Sequence, residues 1–82
     1  MTYQVVKEVR QQWDNVPHRH ICEGTKDESI LEVLKKAHAL AIEHAERVAV
    51  KHPFRLNNGF QFNTSNCTCI IYRAEEVNDD RR

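Results

Sequence analysis

The sequence predicts an α+β domain in which a single amphipathic helix packs on one face of a small antiparallel sheet, in the order β-β-α-β-β-β. One long segment has the apolar spacing of a helix, and the segments on either side alternate apolar and polar residues as half-buried strands do. The chain has 82 residues, of which 40% are hydrophobic. This size and composition suit one globular domain spanning residues 1–82.

Two strands are predicted before the helix. Segment 2–13 places apolar side chains at even spacing, which indicates a half-buried first strand. Turn residues follow at 14–17, and the segment from His18 to Glu23 reads as a short second strand. The evenly spaced residues of the first strand are Tyr3, Val5, Val9 and Trp13.

The helix is predicted from about Asp27 to Lys51. Capping-box spacings beginning at Thr25 and Ser29 mark its start, and Pro53 ends it because a residue before proline is disfavoured in the α region. Small alanines at the centre of the apolar stripe would let the helix lie close to a sheet. The stripe consists of Ile30, Val33, Leu34, Ala37, Ala41, His44, Ala45 and Val48.

A hairpin is predicted after the helix. A two-residue turn at Asn58-Gly59 would split the apolar side chains between the two faces. A three-residue loop, Asn57-Asn58-Gly59 with a left-handed Gly59, would place them all on one face under the helix. The four residues that share that face are Phe54, Leu56, Phe60 and Phe62.

The last strand is predicted to run from Cys67 to about Ala74, with its register left open. A preceding loop of two or four residues would align Cys67 and Cys69 with the phenylalanine face. A three-residue loop would instead turn the cysteines outward and put Ile70 and Tyr72 inside. Residues 75–82 are polar, and we expect them to form a frayed tail.

Charge composition gives no direct indication of nucleic-acid binding. The chain has 12 basic and 12 acidic residues, so its formal net charge is zero. Affinity for nucleic acid comes largely from basic side chains that neutralise phosphates, and no segment concentrates them. A weak nucleic-acid-binding module stays an alternative, because folding could gather four dispersed arginines: Arg10, Arg19, Arg55 and Arg73.

The cellular compartment is predicted from what the sequence lacks. No apolar run approaches the roughly 20 residues that a membrane-spanning helix needs. The N-terminus has no signal-peptide pattern, and three cysteines are too few for a secreted disulfide framework. We therefore expect a cytoplasmic protein without a membrane partner.

A zinc-stabilised domain is a further alternative, built on His20, Cys22, Cys67 and Cys69. Zinc favours imidazole and thiolate ligands, and a structural ion would help a small core. The spacing is unfavourable, because Cys-x-Cys on a flat strand holds its sulfurs about 7 Å apart. We therefore expect no metal and no other cofactor, with the cysteines acting as small apolar side chains.

Catalytic patterns are missing from the sequence. With Gly24 and Gly59 as the only glycines, no glycine-rich phosphate loop can form, and no nucleophile-elbow or metalloprotease motif occurs. A nucleophilic Cys22 with a nearby histidine would need a lowered thiol pKa, which nothing in the sequence indicates. We expect a protein that is not an enzyme.

The function predicted from these observations is a small protein-binding or regulatory module that also forms a homodimer. One helix covers one face of the sheet, which leaves the other face and a strand edge for a partner. Tyr3 and Trp13 are the large amphipathic side chains best suited to anchor a partner, although core packing also explains them. Arg10 and Arg19 are expected beside them on the uncovered side.

Size and layout are similar to those of small phage-encoded accessory proteins, some anti-CRISPR inhibitors among them. The resemblance is one of architecture and carries over no residue. It implies that the chain acts as a phage-type or mobile-element-type inhibitor, which binds and blocks host machinery.

Overall fold

The structure, a computed structural model, describes residues 1–11, 16–48, 51–64 and 67–77. In these segments one helix, α1 (Ile30–Val48), packs on a five-stranded antiparallel sheet. The α+β class and the order of the elements are as predicted from the sequence. The strands are β1 (Tyr3–Gln11), β2 (His18–Ile21), β3 (Phe54–Arg55), β4 (Gly59–Asn63) and β5 (Thr68–Glu76).

The strand order is β2-β1-β5-β4-β3, so the first and last strands of the chain form the centre of the sheet. β1 and β5 pair along their whole length, from Tyr3 opposite Glu76 to Gln11 opposite Thr68. β5 continues past its predicted end, and the Val77 N–H donates to the carbonyl of Thr2 at 2.7 Å. The start of the predicted tail is therefore ordered in the sheet, while residues 78–82 lie outside the described residues.

The helix begins later than predicted, because the residues before it are held by β1. Asp27 forms an antiparallel bridge with Tyr3, with N–H to carbonyl distances of 2.8 and 3.0 Å. Ser29 is the N-cap, and its hydroxyl accepts a hydrogen bond from the Glu32 N–H at 3.3 Å. At the other end Lys51 lies beyond the helix, and residues 49–50 are outside the described residues.

Thr25 is not a helix cap but a link between β1 and the chain that leaves β2. Its buried hydroxyl accepts a hydrogen bond from the Val5 N–H at 2.9 Å and donates one to the Cys22 carbonyl at 2.7 Å. The same two residues are joined directly by the Cys22 N–H, which donates to the Val5 carbonyl at 3.0 Å. The Thr25 hydroxyl thus replaces one backbone hydrogen bond between β1 and the end of β2, at the point where the two strands separate.

The core lies between α1 and the three inner strands β1, β5 and β4. Four helix residues of the predicted stripe are buried, and three of them are the alanines that let the helix approach the sheet: Val33, Ala37, Ala41 and Ala45. Ile30, at the first position of the helix, remains partly exposed. The sheet contributes Val5, Phe60, Phe62, Ile70, Tyr72 and Ala74 to this core.

The predicted hairpin register is wrong. Leu56 and Gly59 close a turn with Asn57 and Asn58 between them, because the Leu56 N–H donates to the Gly59 carbonyl at 2.7 Å. Phe54 therefore pairs with Gln61 on the side away from the helix, and it is 51% exposed.

Gly59 is needed for close packing and not for a left-handed conformation. Its φ is outside the left-handed region, and a Cβ at this position would lie 2.3 Å from the carbonyl oxygen of Tyr72. The backbone of β5 therefore occupies the space that any side chain at residue 59 would need.

The turn between β4 and β5 resolves the register that the sequence left open. The Thr64 N–H donates to the Thr68 carbonyl at 2.9 Å, so three residues lie between them. The last of the three, Cys67, has a positive φ of 66°. Of the predicted alternatives, the one that turns the cysteines outward and puts Ile70 and Tyr72 inside is correct.

Candidate functional site

The outer face of the sheet, defined here as the side away from α1, carries two of the four predicted partner-binding residues, Arg10 and Arg19. Side chains alternate between the two faces of a strand, and directly paired residues share a face. This face combines charged with apolar side chains. Its residues on the three strands β2, β1 and β5 are Arg19, Ile21, Gln4, Val6, Glu8, Arg10, Cys69, Ile71, Arg73 and Glu75.

Glu8 is the buried charge at the centre of the outer face. Its side chain is 6% exposed and contacts two guanidinium groups, with Arg10 Nε at 2.9 Å and Arg73 Nη1 at 3.2 Å. A buried carboxylate is tolerated when its charge is paired and its oxygens accept hydrogen bonds. The two arginines therefore stabilise Glu8 inside the sheet surface.

The ion pairs continue from Glu8 to the edge of the sheet. Arg73 Nη1 lies 3.8 Å from a carboxylate oxygen of Glu75, and the other oxygen of Glu75 contacts Arg19 on β2. We call this chain of alternating charges the arginine–glutamate row; it consists of Arg10, Glu8, Arg73, Glu75 and Arg19. Each arginine of the row contacts at least one carboxylate, and the two carboxylates offset two of the three positive charges.

The β2 edge is one of the two exposed edges of the sheet; the other is β3, which has only two residues. All four residues of β2 are exposed, and Ile21 retains 59% of its accessible surface. β2 pairs with β1 on one side only, and no strand within the described ranges pairs with its other side. An edge strand of this kind offers unpaired backbone hydrogen-bonding groups to another chain.

The structure brings together some of the predicted partner-binding residues and separates others. Arg10 and Arg19 lie on the outer face as expected. Tyr3 lies on the opposite face, where it packs against the core, and its hydroxyl approaches the sulfur of Met1 at 3.6 Å. Core packing thus explains Tyr3, while Trp13 lies outside the described residues.

The proposed zinc ligands do not converge. Cys22 packs against the core on the helix side, whereas Cys69 pairs with Arg10 on the outer face. Cys67 is exposed at the turn before β5, and His20 is on the β2 edge. Within the described ranges no three histidine, cysteine or acidic side chains are grouped to hold a metal ion. The sheet itself separates the predicted set.

The thiols of Cys22 and Cys69 are not activated as nucleophiles. Burial raises the pKa of the Cys22 thiol, and the nearby charge of Lys7 opposes this shift only in part. Burial also raises the pKa of the Cys69 thiol, against the opposing charge of Arg10. A nucleophilic cysteine needs a lowered pKa, so these two thiols act as small apolar side chains.

His44 is a packed histidine, as its place in the helix stripe predicts. Its Nδ1 lies 2.8 Å from the Tyr72 hydroxyl, and its ring meets the ring of Phe62 edge-on at 5.2 Å. Burial raises the pKa of Tyr72 to about 12, so this hydroxyl stays protonated beside the imidazole. Burial lowers the pKa of His44, and the charges of Lys7 and Arg47 lower it further.

A shallow cleft lies between α1 and the β3–β4 hairpin, toward the edge of the sheet opposite β2. The Phe60 ring stacks on His38 at 4.5 Å and lies 5.4 Å from the guanidinium carbon of Arg55. The cleft has a volume of about 350 Å³ and is open to solvent. Arg55 contacts no carboxylate in the described part of the chain. Most of the side chains that line the cleft are exposed, and nothing in its geometry indicates an occupant.

Sequence reasoning missed Glu8, Glu75 and Ile21, which complete the outer face and the β2 edge. The sequence contains a signal for Glu8, because Glu8 and Arg10 are two residues apart on one predicted strand. Arg73 and Glu75 are also two residues apart, but Glu75 lies beyond the predicted end of the last strand. Residues two apart on a strand share a face. Only the register between β1 and β5 shows that the two pairs meet.

Comparisons with known proteins identify no relative. Neither the protein-family models nor the curated proteins nor the solved structures include a match to this chain. In the described segments no helix is long and apolar enough to cross a membrane. The function is therefore argued from the geometry of the sheet.

Proposed function

We propose that this chain is a non-enzymatic protein-binding module that takes up an extended segment of a partner protein at the β2 edge. The observation that supports this proposal is the exposure of every residue of β2, on a strand paired on one side only. Binding by strand addition obtains affinity from main-chain hydrogen bonds and specificity from the side chains beside them.

The side chains around β2 are suited to such a partner. Ile21 gives an apolar contact at the edge, and Arg19 beside it is held in place by its contact with Glu75. A side chain that is already oriented loses less conformational entropy when it is used in an interface. Arginine is also among the residues enriched at the energetic centres of protein interfaces.

The charge pattern favours a protein partner over nucleic acid. Three of the four arginines that folding was expected to gather, Arg10, Arg19 and Arg73, do meet on the outer face, but Glu8 and Glu75 offset two of their three charges. Phosphate binding requires an uncompensated basic surface. Arg55 lies apart from them beside Phe60, so the outer face does not support the nucleic-acid alternative.

The proposal extends to the biological role predicted from the sequence. A module that covers part of a host protein in this way would act as an inhibitor, as in the phage-type accessory proteins of similar layout. Action in the cytoplasm and formation of a homodimer belong to the same proposal. The zinc alternative is not proposed again, because its four ligands lie on different sides of the sheet.

The test is affinity capture from cell extract with quantitative mass spectrometry, comparing variants of the edge. The Ile21→Pro variant removes one backbone N–H, and Ile21→Thr keeps that group while removing apolar surface. Leu31→Thr is the matched control, because Leu31 is 66% exposed on the helix and is not part of the β2 edge.

A partner captured by the unaltered protein and by Leu31→Thr should be lost with Ile21→Pro and weakened with Ile21→Thr. The captured protein is then purified, and its dissociation constant for each variant is measured by calorimetry. Equal binding by Ile21→Pro would show that the β2 edge is not the binding surface.

A further inference from the structure

The hydrogen bonds between β2 and β1 show which backbone groups of β2 face away from the sheet. The Cys22 N–H donates to the Val5 carbonyl, so Cys22 is turned toward β1. In an antiparallel ladder the residues of one strand alternate between facing the neighbouring strand and facing away. His20 therefore faces β1, and the N–H and C=O groups of Arg19 and Ile21 point outward.

We propose that the β2 edge binds the β2 edge of a second copy of this chain, antiparallel, with a two-fold axis at His20. In this register Arg19 of each copy lies opposite Ile21 of the other. The two pairs form four hydrogen bonds that use all the outward groups of both residues in both copies. The inference rests on the proposed function, since it names the occupant of the edge.

The neighbouring registers are less favourable for identifiable reasons. An axis at Arg19 would place Ile21 opposite Pro17, which has no N–H, and would set two arginines directly opposite each other. An axis at Ile21 would require Glu23 to continue the strand. Glu23 instead belongs to the turn that leads to Gly24, whose φ is +76°.

Side-chain complementarity supports a second copy as the occupant, because Arg19 of each copy lies opposite the exposed Ile21 of the other. Glu75 within its own chain offsets part of the charge of Arg19. The aliphatic stem of Arg19 can then cover Ile21 of the second copy, as long basic side chains do on apolar surfaces. This contact forms twice, because the interface is symmetric.

The dimer buries a small area, since each copy contributes four strand residues and their neighbours. Interfaces below about 1,200 Å² are characteristic of weak and transient association. We therefore expect the protein to dimerise in the micromolar range or more weakly. Fast exchange between monomer and dimer would leave the same edge accessible to another protein.

Cysteine cross-linking tests the register directly, in a background of Cys22→Ala, Cys67→Ser and Cys69→Ser. Residue 20 would form a non-hydrogen-bonded pair across the axis, with its two Cα atoms about 4.5 Å apart, which permits a disulfide. His20→Cys should give a covalent dimer on mild oxidation. Arg19→Cys and Ile21→Cys should each stay mainly monomeric alone and cross-link when mixed.

Any other pattern of cross-linking would contradict the proposal. Efficient cross-linking of Arg19→Cys alone or Ile21→Cys alone would place the axis elsewhere and exclude this register. Sedimentation of the unaltered protein gives a second readout that does not depend on the cysteine background. A protein that stays monomeric at millimolar concentration, with no cross-linking at residue 20, would exclude the dimer.

The two proposals fail in distinguishable ways. Loss of the dimer leaves strand addition by a different protein intact, and the capture experiment with Ile21→Pro decides that question. If dimerisation is real, Ile21→Pro should abolish it in sedimentation, while Leu31→Thr should dimerise like the unaltered chain.

Discussion

The Thr25 hydroxyl receives the N–H of Val5 at 2.9 Å, 20 residues earlier in the chain, and so joins the loop before α1 to the central strand of the sheet. The same hydroxyl donates to the Cys22 carbonyl. One side chain thus completes the ladder where β2 turns away from β1.

Thr25→Val should destabilise the fold by about 1–3 kcal/mol. The change keeps the shape of the side chain but leaves the buried Val5 N–H and the Cys22 carbonyl without their partner, and unpaired buried polar groups are costly. Thr25→Ser is the matched control, because it retains the hydroxyl and should lose less. Urea denaturation monitored by circular dichroism measures both, and equal loss in the two variants would assign the effect to the missing methyl group.

Glu8→Gln should lower the free energy of unfolding by about 1–3 kcal/mol, because it removes the charge that Arg10 and Arg73 share. Because Arg10 is exposed to solvent, we expect a loss of unfolding free energy near the lower end of this range. Glu43→Gln provides the comparison, since Glu43 is exposed and lies 4.0 Å from Arg47; there the change should be under about 0.5 kcal/mol. Similar effects in the two variants would contradict a stabilising role for the arginine–glutamate row.

Acidification should destabilise the protein through His44. Its pKa is lowered by burial and by the charges of Lys7 and Arg47, so the unfolded chain takes up a proton at a higher pH than the folded one. Stability is fully present above the unfolded value of 6.5 and is lost as the pH falls through the lower folded pKa. Denaturation between pH 8 and pH 5 should show this loss, and His44→Gln should reduce it.

The control for His44 is His52→Gln, in the exposed segment after α1. This variant should keep the pH dependence of the unaltered protein. If His44→Gln leaves the dependence unchanged, another group is responsible for the acid sensitivity.

The two glycines should respond to alanine for different reasons. Gly59→Ala should cost about 3 kcal/mol or more, because the new Cβ would lie 2.3 Å from the Tyr72 carbonyl oxygen and the backbone must move. Gly24→Ala meets no atom within 4 Å, and its cost should be about 1 kcal/mol from the positive φ of 76°. Thermal unfolding of both variants checks the order, and a larger loss at Gly24 would contradict the close packing of Gly59.

Local periodicity was sufficient to predict the helix and its buried face. Ala37, Ala41 and Ala45 recur at the helical repeat, and they are the buried residues in the structure. The start was misplaced because Thr25 has capping-box spacing, but tertiary hydrogen bonds to Val5 and Cys22 use its hydroxyl instead. A side chain with two suitable partners cannot be assigned from spacing alone.

Register was harder to predict because it depends on backbone packing between strands. Grouping Phe54 with Phe60 on one face would bury the most apolar surface, but it requires a left-handed Gly59. The close approach of Gly59 to β5 and the short turn before it place Phe54 on the exposed side. The outer-face site depends on the same kind of information, since Glu8 and Arg73 meet only through the pairing of β1 with β5.

The position of β1 beside β5 has a consequence for biosynthesis. β1 is translated before β5, its main partner, and β2, α1, β3 and β4 lie between them in the chain. The central pair of the sheet therefore cannot close until β5 has been translated, and until then β1 exposes the side chains of Val5 and Val9. Long-range pairing of this kind folds more slowly than local helical structure, and an unpaired apolar strand is prone to aggregation in that interval.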